Sequence, residues 1–402
     1  TLFRSISFPL TGEWKANTTR EYKLSQKNSS WGYTFTLADE NKTYDYQGHE
    51  TSSNIAFKVT SYRQSGTTQQ AVPWKISKYE EWDYTLNGGT GGWVDRGTTK
   101  PAWLGDLTDQ GNGSTAAEAG NTAVKPGVID KLAAYNQVLK DATPKGTATN
   151  PYNLANPSGD GARNFIEESA NCYLISAPGH YCIPLVYGNA IKNGITNSHA
   201  YQTSNSGAYI LQHFKDHADQ NITDPWIEKT NSGANNGVND AKVVWADEAG
   251  LVQFGATKIV RDAGNNAFVQ FEVPADKIKN GNAVIAVKNA SGTVMWSWHL
   301  WFAKPEALGT ITCVNQGNYV YKFSNASLGF AYSKWEETPY AQDRKCRVTL
   351  QPTAGNANSS QKGIVYITLK AYSTYDMRTT LYQYGRKDAL PGTDTFYDNS
   401  ST

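Results

Sequence analysis

The sequence predicts a mostly β protein, built of tandem β-sandwich domains of immunoglobulin-like type with one or two short helices. Three observations point there. Short aromatic or β-branched runs carry period-two patterning, the mark of strands with one buried face. Turn formers recur between those runs, with 35 Gly and 15 Pro among 402 residues. Charged residues are only 18% of the chain while Tyr numbers 24 and Trp 12, so the polarity rests on neutral Asn, Thr, Ser, Gly and Gln. Strands favour Thr and aromatic rings and turns favour Asn and Gly, which is how extracellular β proteins are composed.

The length exceeds the ~250 to 300 residues at which single cores stop growing, and three structured units are expected. A sandwich over 1–100 would hold strands at 21–24, 31–37 and 55–62. The run Asn87-Gly-Gly-Thr-Gly-Gly92 opens a stretch to residue 113 too poor in apolar residues for a core, so it reads as loop or linker. The linker region, 101–163, carries a helix at 126–142, with Pro126 in the first turn and Val128, Leu132, Tyr135 and Leu139 on one face. A central β domain, 164–304, reads as hairpins: 172–176 with 181–186, 243–245 with 251–254, 258–260 with 267–273, and 283–287 with 294–302. A short helix at 207–218 interrupts it. A second sandwich, 305–384, takes strands at 310–313, 319–323, 344–350 and 364–369, and a polar tail, 385–402, ends the chain.

A net charge of +1 without basic runs leaves no footprint for nucleic acid. No apolar stretch reaches the ~18 residues of a membrane span. Beginning Thr-Leu-Phe-Arg, the chain reads as a mature or engineered fragment, any signal peptide or lipid anchor lying upstream.

Four cysteines allow three pairings. Cys172 with Cys182, flanking the 177–179 turn, and Cys313 with Cys346, in two later strands, are candidate disulfides; buried free thiols are the equal alternative. His213 and His217 lie four apart on the expected helix, but Phe214 stands where a zinc protease carries glutamate, so no metal and no cofactor is expected. Met295-Trp-Ser-Trp-His-Leu-Trp-Phe302 is the densest aromatic run. As a strand it sends Trp296, Trp298, Leu300 and Phe302 to a core. Met295, Ser297, His299 and Trp301 face the other way, either packed under a neighbour or open as a sugar platform. Trp301, His299 and Trp226 are the candidate ligand-binding residues. No nucleophile elbow, phosphate loop or dinucleotide glycine signature occurs, and the chain is expected not to be an enzyme.

Three segments resemble stretches found together in the fimbrillin-like surface proteins of Gram-negative gut anaerobes. They are Ala170-Asn-Cys-Tyr-Leu-Ile-Ser-Ala-Pro-Gly179 with Pro184-Leu-Val-Tyr-Gly-Asn-Ala-Ile-Lys-Asn-Gly194; Gly281-Asn-Ala-Val-Ile-Ala-Val287 with Trp296-Ser-Trp-His-Leu-Trp301; and Tyr382-Gln-Tyr-Gly-Arg-Lys-Asp-Ala-Leu-Pro391. The resemblance spans 143–394 and implies an exported, outer-membrane-anchored protein of the fimbrial or adhesin kind, with no catalytic residues. The expected function is therefore a surface adhesin or fimbria-associated structural protein. Its partners would be a host or microbial surface ligand, glycan or protein, and other pilus subunits. A glycan-binding module of a polysaccharide-capture system is the first alternative, and a secreted glycoside-active enzyme with an unrecognised carboxylate pair the second.

Overall fold

A computed structural model describes residues 15–17, 19, 31–157, 165–354, 361–383, 387–392 and 397. The strand expected at 21–24 lies outside them. The chain is mostly β. In order the strands are β1 (Gly32–Ala38), β2 (Asn41–Tyr44), β3 (Phe57–Ser65), β4 (Thr68–Ala71), β5 (Trp74–Asp83), β6 (Gly92–Asp95), β7 (Gln110–Gly111) and β8 (Glu118–Gly120). There follow β9 (Ile129–Asp130), helix α1 (Lys131–Asp141), β10 (Tyr152–Asn153), β11 (Cys172–Ile175), β12 (Gly179–Pro184), β13 (Ile191–Lys192), β14 (Ile195–Thr196), β15 (Val238–Ala246), β16 (Ile259–Arg261) and β17 (Ala267–Val273). The remainder are β18 (Gly281–Asn289), β19 (Val294–Phe302), β20 (Thr310–Val314), β21 (Val320–Ser324), β22 (Ala331–Glu337), β23 (Arg344–Pro352), β24 (Gly363–Leu369) and β25 (Ser373–Arg378).

The chain forms two compact units, residues 1–127 with 340–371 and residues 128–339 with 372–402. The expected separate domain over 305–384 is thus divided between them. Its strands β23 and β24 pair with β5 and β2 and complete the first unit. Hydrophobic alternation decides this: Cys346, Val348 and Leu350 of β23 and Val365, Ile367 and Leu369 of β24 point into one core with Phe57, Val59, Trp74 and Tyr79. In β5, a bulge at Ser77 puts Ile76 and Tyr79 on that same inward side. The stretch read as linker belongs to this unit as well, since Trp103 and Leu104 are core residues. Gly91 shows why glycines are needed at 87–92: φ is +86°, and a Cβ there would lie 2.5 Å from the Trp82 indole nitrogen.

In the second unit, sheet β10-β12-β17-β16 packs against sheet β11-β19-β18-β15. The hairpins β16–β17 and β18–β19 are as expected. The segments 172–176 and 181–186 do not form one: β11 runs parallel to β19, whereas β12 pairs with β17 in the facing sheet. The 177–179 turn therefore crosses between layers. Residues 251–254 supply a single bridge, from Gln253 to Glu272, and β15 pairs with β18 instead.

Helix α1 starts at Lys131, because Ile129 and Asp130 pair with β22 and the Asp130 carboxylate then caps the helix, accepting from Ala133 N at 2.9 Å. No helix forms over 207–218. That segment is held by bridges Gln202 to His213 and Lys215 to Asn221, so the helical spacing assumed for His213 and His217 does not exist. All four cysteines are free thiols. Cys172 and Cys182 sit in different sheets, and Cys313 and Cys346 in different units. Burial pushes the Cys172 and Cys346 thiols up to about 12. Hairpin β20–β21 is exposed throughout, with Ile311 opposite Phe323.

Candidate functional site

The β19 run is architecture. A register shift opposite Val287 and Lys288 turns Met295 into the core with Trp298, Leu300 and Phe302, while Trp296 is half-buried against Tyr187. The opposite face is covered too, which corrects the expectation that Trp301 and His299 could meet a ligand: they are 3% and 4% exposed. Trp301 Nε1 donates to the Phe330 carbonyl at 2.8 Å. The described part of the supposed polar tail helps to cover this face: Ala389 is buried against Trp245 and Val284, and Lys387 lies 4.4 Å over the Trp296 ring and donates to Ser297 Oγ at 2.6 Å.

The buried polar chain here has one consistent proton arrangement. Asn282 Nδ2 donates to Asp247 Oδ2 and to the Gly329 carbonyl, both at 2.8 Å, so its oxygen accepts from His299 Nε2 at 2.9 Å. Nδ1 then accepts from the Tyr382 hydroxyl at 2.6 Å. Burial lowers His299 to about 4. Since the unfolded ring takes its proton near 6.5 and the folded ring only near 4, stability present at pH 7 is lost as pH falls through that window, by about 3 kcal/mol. Urea unfolding at pH 7 and pH 4.5 should show this loss in the parent, with His299→Gln flattening it. Equal slopes in both proteins would refute it.

The sequence candidate that does reach solvent is Trp226. It sits beside a cleft of about 360 Å³ formed by the loop after it and the β16–β17 turn. The Asp224 carboxylate accepts from Trp226 N at 2.8 Å, and Trp226 bridges to Val186, fixing the ring edge-on to Phe268 at 6.2 Å. The next loop is strained, with left-handed φ of 52° at Asn231 and 57° at Ser232. Asp216 holds it in place. Its Oδ2 accepts from Asn231 and Asn235 amides at 2.9 and 3.0 Å, and its Oδ1 from Ala218 N and Gln220 N. Burial alone would raise this carboxyl, but those donors outweigh it and hold it low.

Of the charges lining the cleft, Glu228 and Arg261 pair with each other, while among the described residues Lys229 has no carboxylate partner. Arg261 grips Glu228 with two bonds, 2.6 and 2.9 Å, and Gly237 N and Val238 N donate to the same carboxylate. Burial would raise Glu228, yet these four bonds keep it below the ordinary range. Lys229 lies 5.0 Å over the Trp226 ring and donates to Asn266 Oδ1 at 2.6 Å. Left over are the lining side chains of Ser232, Asn236 and Asn265, beside a half-buried indole one face of which Lys229 covers. Glu228 is the cleft's lining carboxylate. Sequence reasoning flagged Trp226 but missed these partners. The one local signal was the Asp-Ala-Gly-Asn-Asn run at 262–266, which reads equally well as a plain hairpin turn.

Among the described residues no group of three or more His, Cys, Asp or Glu could hold a metal ion, and no helix is long and apolar enough to cross a membrane. The two units define a β-sandwich-rich protein with a solvent-open aromatic cleft in its second unit. Comparisons with protein-family models, curated proteins and solved structures found no match.

Proposed function

We propose that this is a non-enzymatic cell-surface binding protein of the adhesin kind, which holds a neutral sugar ring in the Trp226 cleft. The observation that carries this is a half-buried indole and the amides of Asn236 and Asn265 lining one cleft, in which Glu228 and Arg261 neutralise each other and Lys229 is, among the described residues, the one cation without a carboxylate. A sugar needs an apolar platform for its C–H face and neutral donors and acceptors for its hydroxyls. The cleft offers both. Glycoside hydrolysis is most often carried out by two carboxyl groups flanking the bond, and Glu228, locked by Arg261, is poorly placed to serve as either. The resemblance to fimbrillin-like surface proteins supports an exported, outer-membrane-anchored location.

Trp226→Ala should weaken binding of neutral oligosaccharides, found by array and measured by calorimetry, by tenfold or more. Retained affinity in that variant would remove the cleft from consideration. Appearance of new reducing ends during incubation would replace the binding role with a hydrolytic one.

A further inference from the structure

The first unit carries a second cleft, lined by aromatic rings and cations. On the outward face of the sheet, Trp82 and Trp93 are cross-strand partners, 5.2 Å apart and 77° inclined. Tyr84 meets Trp82 edge-on at 6.2 Å, and its hydroxyl donates to the Asp343 carbonyl at 2.9 Å, which fixes the ring. Trp82, Tyr84 and Tyr340 line a cleft of about 380 Å³ with Arg96, Arg344 and Lys345.

The acidic groups of this cleft are committed. Glu81 takes Arg96 at 2.9 Å and the Trp103 indole N–H at 2.8 Å. Asp343 takes Lys370 at 2.7 Å, and Asp83 takes the backbone N–H and hydroxyl of Thr85. Two cations are not committed: among the described residues, neither Arg344 nor Lys345 has a carboxylate partner. Each rests on rings instead. The Arg344 guanidinium lies 4.3 Å over Tyr340, and Lys345 Nζ is almost equidistant from Trp82 and Tyr84, at 5.7 and 5.8 Å.

We propose that this cleft binds a sugar ring carrying an anionic group, a uronate carboxylate or a sulfate ester. The anion is received by Arg344 and Lys345 and the ring lies along Trp82 and Tyr84. Cations alone would suit any anion. Cations seated on fixed aromatic rings give a combined footprint, in which the same ligand must present a charge and a flat apolar face within one ring's width. Of the acids lining this cleft, Glu81 is paired with Arg96 and Asp343 with Lys370, so only Asp83 sets its charge against Arg344 and Lys345. In the Trp226 cleft Arg261 is paired with Glu228, and Lys229 is, among the described residues, the one cation without a carboxylate.

Calorimetry with tetragalacturonate, a sulfated chondroitin tetrasaccharide, cellotetraose and tetraglutamate tests the assignment. At least one of the two acidic sugars should bind, and the stronger of them identifies the group. Affinity should drop about tenfold or more between about 50 and 500 mM salt. It should drop at least tenfold in Arg344→Gln/Lys345→Gln, be retained in the charge-conserving Arg344→Lys/Lys345→Arg, and be unchanged in Trp226→Ala. That last arm keeps this site distinct from the neutral-sugar cleft. The proposal fails if neither acidic sugar binds, if the Gln variant binds as well as the parent, or if tetraglutamate matches the sugars, which would mean a plain cationic patch.

Discussion

Trp301→Ala should destabilise the second unit by about 3 to 5 kcal/mol, measured by urea unfolding at pH 7. The ring is 3% exposed on the face of β19 that sequence reading left as either platform or packing. Its removal leaves a cavity between the sheet and the segment around Phe330, and takes away the donor to the Phe330 carbonyl. Trp298, at 1% exposure on the core face, should cost as much when truncated. Its indole nitrogen has no hydrogen-bond partner, so Trp298→Phe, which removes that donor and keeps most of the ring, should cost well under half as much. A Trp301→Ala protein within about 1 kcal/mol of the parent would mean the face is open after all.

Glu50→Ala is expected to cost the first unit about 3 to 5 kcal/mol, because it strands a buried charge. The Lys42 side chain is 0% exposed and has Glu50 Oε1 at 3.5 Å, with Asn54 O accepting from it at 2.5 Å. Glu50 Oε2 in turn lies 3.3 Å from the Tyr44 hydroxyl, whose titration burial pushes up to about 12. Losing the carboxylate leaves the ammonium with the Asn54 carbonyl and only the less intimate charge of Asp39 to balance it. Lys42→Met should cost less, since Glu50 keeps 11% exposure and can recruit water. The double variant Lys42→Met/Glu50→Leu should recover most of the loss, as an apolar pair of similar volume replaces an ionic one. A Glu50→Ala cost below about 1 kcal/mol, or one that vanishes in high salt, would show the pair to be solvated.

What could be read from the sequence follows the range of the interactions. Hairpins β16–β17 and β18–β19 were legible because turn and alternation lie within one window. The pairing of β11 with β19 and of β2 with β24 was not, because both are parallel and join strands far apart in the chain. The Cys172 and Cys182 spacing suggested a hairpin bridge only while 177–179 looked like a hairpin turn. At the site, Trp226 stood out as a residue, but Arg261 reaches it from β16 and Glu228 and Asp216 from separate loops, and only the turn-like run at 262–266 lies beside any of them.

The interleaving of the two units constrains the order in which the chain can fold as it is made. The first unit lacks β24 until residue 369 has emerged, and the second lacks β25 and the segment carrying Ala389 until later still. Closing β2 against β24 means shutting a loop of most of the chain, an entropic cost that grows only slowly with length but falls late in time. Until then Val348 and Leu350 must wait beside partners that are not yet covered. Neither unit can therefore be cut out as a contiguous fragment, and a chain stopped near residue 340 would leave two half-built sandwiches rather than one finished one.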